Sequence, residues 1–193
     1  MAIDINNREA RSGRLQREDN RFVNMAGKSG LRTEDELSTF IHEGFAWSVD
    51  ADGPLLAAGS LRLLGVTGDK EVHFLGIDGL WSSGGIRYTL YEAPTVTANG
   101  AALVPYALNR PLADTSTMAV YSGTTVTDNG TKIGGAFLPA TGVGVNTLSV
   151  SGGIAGGRVL KKNTEYLIVI VNESATTATY GINFTWGEAD YDA

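Results

Sequence analysis

Tyr166-Leu-Ile-Val-Ile-Val171 and the run that follows it, Thr179-Tyr-Gly-Ile-Asn-Phe-Thr-Trp186, decide the fold class of this chain. The first run is continuously apolar and mostly β-branched or aromatic, so both faces of the strand it predicts must be covered. In the second, Tyr180, Ile182, Phe184 and Trp186 alternate with Thr179, Gly181, Asn183 and Thr185. Period two places the large side chains on one face and the small polar ones on the other. A central strand and a half-exposed one, separated by Asn172-Glu-Ser-Ala175, predict an antiparallel hairpin that closes an all-β core.

Working outward, the same pattern recurs. Ile41, Phe45, Trp47 and Val49 read as one face of a first strand that ends at the turn Asp50-Ala-Asp-Gly-Pro54. Ser60–Val66 and Lys70–Ile77 are strands around Thr67-Gly-Asp69, and Gly85–Tyr91 alternates with Ile86, Tyr88 and Leu90 inward. Thr117–Tyr121, Thr131–Leu138 and Val145–Val150 complete eight or nine short strands, with no helix after residue 40. Twenty-five glycines and a charged fraction of only 19% suit many short strands and turns. The expectation is an antiparallel β-sandwich of the jelly-roll kind over residues 39–193. An extended or partly helical N-terminal arm over residues 1–38 precedes it.

The arm differs chemically from the body. Residues 1–36 hold seven basic and seven acidic side chains, whereas residues 37–193 hold 8 and 14, so the body carries the whole net charge of −6. An acidic body repels phosphate backbones, which excludes nucleic acid as its partner. Arg8, Arg11, Arg14, Arg17 and Arg21 recur every three or four residues and would form a stripe on a helix, with Asp4, Asn6 or Asn7 as its cap. The arm's large apolar residues, Phe22 among them, are too few to offset the entropy of ordering it alone. It is therefore either a solubilising tail or a segment that orders on a partner, where guanidinium forks pair with carboxylates.

Several function classes find no support in the residue types. There is no cysteine, so disulfides and thiolate metal sites are excluded. No apolar run approaches the ~20 residues that span a bilayer, and the first residues lack a secretory core, so we expect a soluble chain made in the cytoplasm and used without secretory export. Of the two histidines, His42 and His73, neither sits in a metal-binding spacing. Gly152-Gly-Ile-Ala-Gly-Gly157 lacks the Lys and Ser/Thr of a phosphate loop, and no nucleophile elbow is present. Asp50, Asp52 and Asp69 are turn acids that read as solvated rather than as calcium ligands. The chain reads as no enzyme, without catalytic, cofactor or metal residues.

One internal echo stands apart. Tyr91-Glu-Ala-Pro-Thr-Val-Thr-Ala-Asn-Gly100 returns thirty residues later as Tyr121-Ser-Gly-Thr-Thr-Val-Thr-Asp-Asn-Gly130. Each copy reads as a strand end, an edge segment and an Asn-Gly turn. Two readings stay open: similar loops at one end of a sandwich, or one joint binding surface.

These same segments carry a resemblance. His42-Glu-Gly44, Tyr91–Gly100 with Pro105-Tyr-x-x-Asn-Arg110, the echo at Tyr121–Gly130, and Lys162-Asn-Thr-x-Tyr-Leu-Ile168 with Asn172 resemble a group of tailed-bacteriophage virion proteins. That group consists of small β-sandwich proteins that decorate or cement the capsid shell, and the resemblance covers roughly residues 41–187. It implies a virion protein on the capsid exterior that binds the major capsid protein and itself, as a homo-oligomer with a trimer favoured. The arm lies outside it, and Arg8, Arg11, Arg14, Arg17, Arg21 and Phe22 are the coat-binding candidates. The alternative is a carbohydrate- or receptor-binding sandwich of a phage tail or head fibre. For that, Trp81 in Asp78-Gly-Leu-Trp-Ser-Ser-Gly-Gly85 is the one loop-borne aromatic, while Trp47 and Trp186 fit the core phase of their strands.

Overall fold

In the computed structural model, the described residues are 36–81, 85–112, 115–138, 146–151 and 158–189. They begin with a short helix, α1 (Glu36–Glu43), followed by β1 (Ala46–Leu55), β2 (Ser60–Val66), β3 (Glu71–Trp81) and β4 (Ile86–Glu92). Then come β5 (Thr95–Ala98), β6 (Ala101–Leu103), β7 (Tyr106–Ala107), a 3-10 turn at Arg110–Leu112, β8 (Ala119–Ser122), β9 (Thr125–Asp128) and β10 (Thr131–Leu138). β11 (Asn146–Ser151), β12 (Arg158–Leu160), β13 (Glu165–Asn172) and β14 (Ala178–Ala189) end the series.

The strands form two packed antiparallel sheets and a separate ribbon. The first sheet has the order β11-β3-β14-β1-β7, with β12 also on β3; the second runs β10-β4-β13-β2-β8-β6; β5 and β9 pair with each other. Period-two alternation builds the interior. Trp47 and Val49 of β1, Phe74 and Ile77 of β3, and Ile182, Phe184 and Trp186 of β14 meet Leu63, Tyr88, Leu90, Tyr166 and Ile170 of the second sheet. Trp47 and Trp186 are paired in register and almost wholly enclosed. The expected all-β antiparallel sandwich is the fold.

The predicted terminal hairpin is not there. β13 pairs with β2 and β4, whereas β14 pairs with β1 and β3, so the two runs lie in opposite sheets. Asn172 is the reason. Its buried side-chain amide donates to Leu55 O and Leu56 O (both 3.1 Å) and Thr176 O (2.8 Å). Its oxygen accepts from Ser174 N (3.0 Å) and Ser174 Oγ (2.6 Å). This polar knot carries residues 173–177 across the gap between sheets, about 10 Å, instead of folding β14 back beside β13. Local alternation assigned each strand's faces correctly, but it holds no information about which sheet the strand joins.

The start of the sandwich is also corrected. Residues 36–43 are helical, so Ile41 belongs to α1, not to a first strand, and a helix does cross residue 40. Gly44 N donates to Ile41 O (3.1 Å) and Phe45 N to Phe40 O (2.8 Å), the two bonds of a Schellman cap, with Gly44 at φ +81°. Phe45 is partly exposed, and the inward phase begins only with Trp47. β1 then continues through Asp50–Pro54 instead of turning, because β14 offers it a partner residue for residue from Gly187 to Ala178.

Candidate functional site

The echoed decapeptides are brought together. β5 and β9 pair antiparallel, with Thr95 opposite Asp128, Val96 opposite Val126 and Ala98 opposite Thr125. Exchanging the copies maps this pairing onto itself, which is the signature of a local two-fold axis. The same exchange relates many contacts around it. Thr97 Oγ1 donates to Thr125 O (3.1 Å) and Thr127 Oγ1 to Thr95 O (3.4 Å). Ala93 N donates to Glu165 O and Gly123 N to Arg62 O, both at 2.9 Å. After its Asn-Gly turn each copy pairs with the other copy's entering strand, Ala101 with Ser122 and Thr131 with Glu92.

The backbone explains the shared glycines. Gly100 and Gly130 sit at φ +90° and +85°, and a Cβ on either would collide with a carbonyl oxygen of the other copy, Ser122 O and Glu92 O respectively. Only glycine satisfies both conditions. Pro94 and Thr124, at equivalent positions, are the buried feet of the ribbon.

The axis continues into the second sheet. Tyr91, Leu167, Leu64 and Tyr121 form one cross-strand row, and the exchange maps that row onto itself between Leu64 and Leu167. Both leucines are fully buried, yet they alternate with Leu63, Tyr166 and Ile168 of the interior and so face outward. The ribbon leaves β4 at one end and β8 at the other, the strands that flank β13 and β2 in this sheet, and is so placed to supply the cover that the apolar run of β13 requires. The two copies of the echo are thus paired with each other rather than separate loops.

The outer face of the first sheet is polar instead. Asp50 accepts from Tyr106 Oη (3.1 Å) and Asn183 Nδ2 (2.7 Å), and Asn183 Oδ1 accepts from Thr185 Oγ1 (3.0 Å). Ser48 Oγ donates to Phe184 O (2.9 Å). At one end Phe40 of α1 lies over Gly187, with its ring 5.1 Å from that of His73.

Between the sheets, Glu188 is a fully buried carboxylate. Oε1 accepts from Ser116 Oγ (2.5 Å), Trp186 Nε1 (3.0 Å) and Met118 N (3.2 Å), and Oε2 from Thr117 N and Oγ1 (both 2.8 Å). It fastens residues 116–118, which lead into β8, onto β14. Burial raises the hydroxyl pKa of Tyr88, Tyr166 and Tyr180 above the ordinary tyrosine value. A small apolar cavity lined by Leu63, Phe74, Leu90, Met118, Phe184 and Trp186 also touches Tyr166, whose hydroxyl is engaged by Lys161 N and Glu92.

The residues singled out from sequence fare differently. Arg8, Arg11, Arg14, Arg17, Arg21 and Phe22 lie outside the described residues, as does the Gly152–Gly157 stretch. His42 offers its carbonyl to Asn109 Nδ2 (3.3 Å), whereas His73 is buried beside Phe40. Asp50, Asp52 and Asp69 form no common site; among the described residues no group of three or more His, Asp or Glu could hold a metal ion. The backbone of Trp81 is not in a loop but at the end of β3, opposite Tyr180 and Asn146. Among the described residues no helix is long and apolar enough to cross a membrane. Sequence reasoning missed Glu188 and Asn172 as anchors; a lone polar residue ending an apolar run was the only available signal.

No family model matches the chain, and no curated protein does. Two solved structures overlap it weakly. One is the T13 particle of infectious bursal disease virus, at TM-score 0.18 and 11% identity, covering 86% of this chain and 43% of that one. The other is infectious bursal disease virus of the Gt strain, at TM-score 0.17 and 11% identity, covering 88% and 45%. The chain thus spans less than half the length of either, and overlaps this slight carry no argument about fold or function.

Proposed function

We propose that this chain is a non-enzymatic virion structural protein whose jelly-roll body binds and stabilises the outer surface of a phage capsid. The strand order carries the reading. Setting aside the β5–β9 insertion and the short β12, the chain changes sheet at every step except from β4 to β10, and the orders are β1-β14-β3-β11 and β2-β13-β4-β10. That is the arrangement of two interlocked Greek keys, found in capsid and lectin domains. Fold alone does not choose between those uses. The sequence resemblance over residues 41–187 favours the capsid. Of the aromatics that would suit the sugar-binding alternative, Trp47 and Trp186 are enclosed in the core, and the backbone of Trp81 ends β3.

In this reading the partners are the major capsid protein and further copies of the chain, with a trimer matching the local symmetry of an icosahedral shell. Several weak contacts made at once raise avidity without any new chemistry. The stripe Arg8, Arg11, Arg14, Arg17 and Arg21, with Phe22, supplies the coat contact. The test is mass spectrometry of purified particles from the source that encodes the chain, with antibody labelling of intact particles. Labelled outer surfaces are the expected result, and absence of the chain from particles overturns the proposal. Co-sedimentation of the five-Arg-to-Ala variant with undecorated particles then tests the arm: occupancy falls and wild-type binding weakens with salt, or the arm carries no contact.

A further inference from the structure

We propose that Asn99 is a site of spontaneous deamidation and that Asp128 shields its counterpart, Asn129, from the same reaction. The two Asn-Gly turns are equivalent by the local two-fold, with nearly equal glycine φ angles of +90° and +85°. One difference falls on the reacting atoms. Gly130 N donates to Asp128 Oδ1 at 3.0 Å. The position equivalent to Asp128 is Ala98, which offers the Gly100 amide no side-chain acceptor. Exposure adds to the contrast, since Asn99 and Gly100 are exposed and Asn129 and Gly130 half-buried.

The chemistry follows from those atoms. The Gly100 nitrogen, its proton lost to solvent base, attacks Asn99 Cγ; the new C–N bond closes a succinimide, and the side-chain nitrogen leaves as ammonia. Water then opens the ring at either carbonyl. Cleavage of the Cγ–N bond restores the main chain with an aspartate side chain. Cleavage of the other C–N bond leaves an isoaspartyl link, with one more methylene in the backbone. At Gly130 the hydrogen bond must break before attack, and the neighbouring carboxylate opposes an anionic nitrogen.

The position gives the reaction a structural consequence. Gly100 passes so close to Ser122 O that not even a Cβ fits, and Ala101–Ser122 is the first pair of the three-residue edge strand β6. A lengthened backbone at residue 99 cannot hold that register, so one end of the ribbon loosens while the end at Gly130 stays closed.

The experiment is ageing of the purified chain in mildly alkaline buffer with peptide mapping by mass spectrometry, alongside a urea-unfolded sample. In the folded chain the Asn99 peptide should convert several-fold faster than the Asn129 peptide, with the gap shrinking on unfolding. Asp128→Ala should raise Asn129 toward the rate of Asn99, and Ala98→Asp should slow Asn99; both positions are exposed, and a thermal melt verifies folding. Equal rates in the folded wild type, faster conversion of Asn129, or indifference to both substitutions would each overturn the proposal.

Discussion

The two sheets of this sandwich are finished differently on their outer faces. The second buries Leu64 and Leu167 on its outer side, on the local two-fold it shares with the β5–β9 ribbon, so its outer layer is apolar. The first carries the exposed Asp50 and the half-buried Asn183 and Thr185 in a lattice of side-chain hydrogen bonds that reaches the buried Ser48. An antiparallel sheet commonly packs one face on the core and leaves the other solvated; only the first sheet follows that pattern. The second departs from it, and the local two-fold that relates its Tyr91-Leu167-Leu64-Tyr121 row also relates the two copies of the decapeptide.

The link between the sheets should be the most sensitive point. Glu188→Ala leaves the amide of Thr117 and the indole N–H of Trp186 without their buried acceptor, and the Met118 amide with only Ser116 Oγ. The expected loss is about 3 kcal/mol or more, because each buried donor left unsatisfied costs roughly 1–3 kcal/mol. Urea unfolding measures it. A loss below about 1 kcal/mol would show that residues 116–118 find water instead, and that the sheets are held by apolar packing alone.

Within the second sheet, Leu167→Ala tests the covered face directly. A buried leucine truncation costs about 2–5 kcal/mol when the site cannot collapse. The two-fold arrangement predicts a similar loss for Leu64→Ala. A cost typical of surface sites at both positions would mean that the ribbon does not seal that face.

What could be read beforehand divides along the same line. The uninterrupted Tyr166–Val171 run demanded cover on both faces, and the alternation of Tyr180–Trp186 demanded it on one; both demands are met. Sheet membership was not legible, because the bonds of Asn172 to Leu55 and Leu56 span more than a hundred residues. Nor was α1, where Phe45, Trp47 and Val49 mimic a longer alternation that the Gly44 cap interrupts. The echo was legible as a repeat, but its self-pairing was not, since period-two signals describe a strand's faces and never its partner. The arginine stripe was legible only as charge spacing.

The tyrosines respond to pH with a defined sign. Tyr88, Tyr166 and Tyr180 each have a folded pKa raised above 10.0, with burial the largest cause. Their contribution is therefore complete below pH 10.0 and is lost as pH climbs through the folded values. Urea midpoints should be flat from neutral pH to that point and then fall. Tyr88 Oη has no hydrogen-bond partner among the described residues, so Tyr88→Phe should cost under about 1 kcal/mol at neutral pH and reduce the alkaline fall. Tyr166→Phe should reduce the fall too, but at a neutral-pH cost, since its hydroxyl accepts from Lys161 N.

Asp50→Ala should have the smallest effect, and its smallness is what the contrast between the faces requires. The substitution removes the acceptor of two hydrogen bonds, from Tyr106 Oη and Asn183 Nδ2. Neither donor is stranded. Asn183 Nδ2 still reaches Tyr106 Oη at 3.0 Å, and water reaches this exposed position to replace the carboxylate. Exposed polar contacts of this kind contribute about 1 kcal/mol or less. Equilibrium unfolding of Asp50→Ala beside Leu167→Ala places one substitution on each face in a single experiment. If Asp50→Ala costs as much as Leu167→Ala, the polar lattice is structural, and the first sheet is finished as completely as the second. If it costs little, the lattice is surface that water already satisfies, and the face is free to exchange those same hydrogen bonds for a partner's.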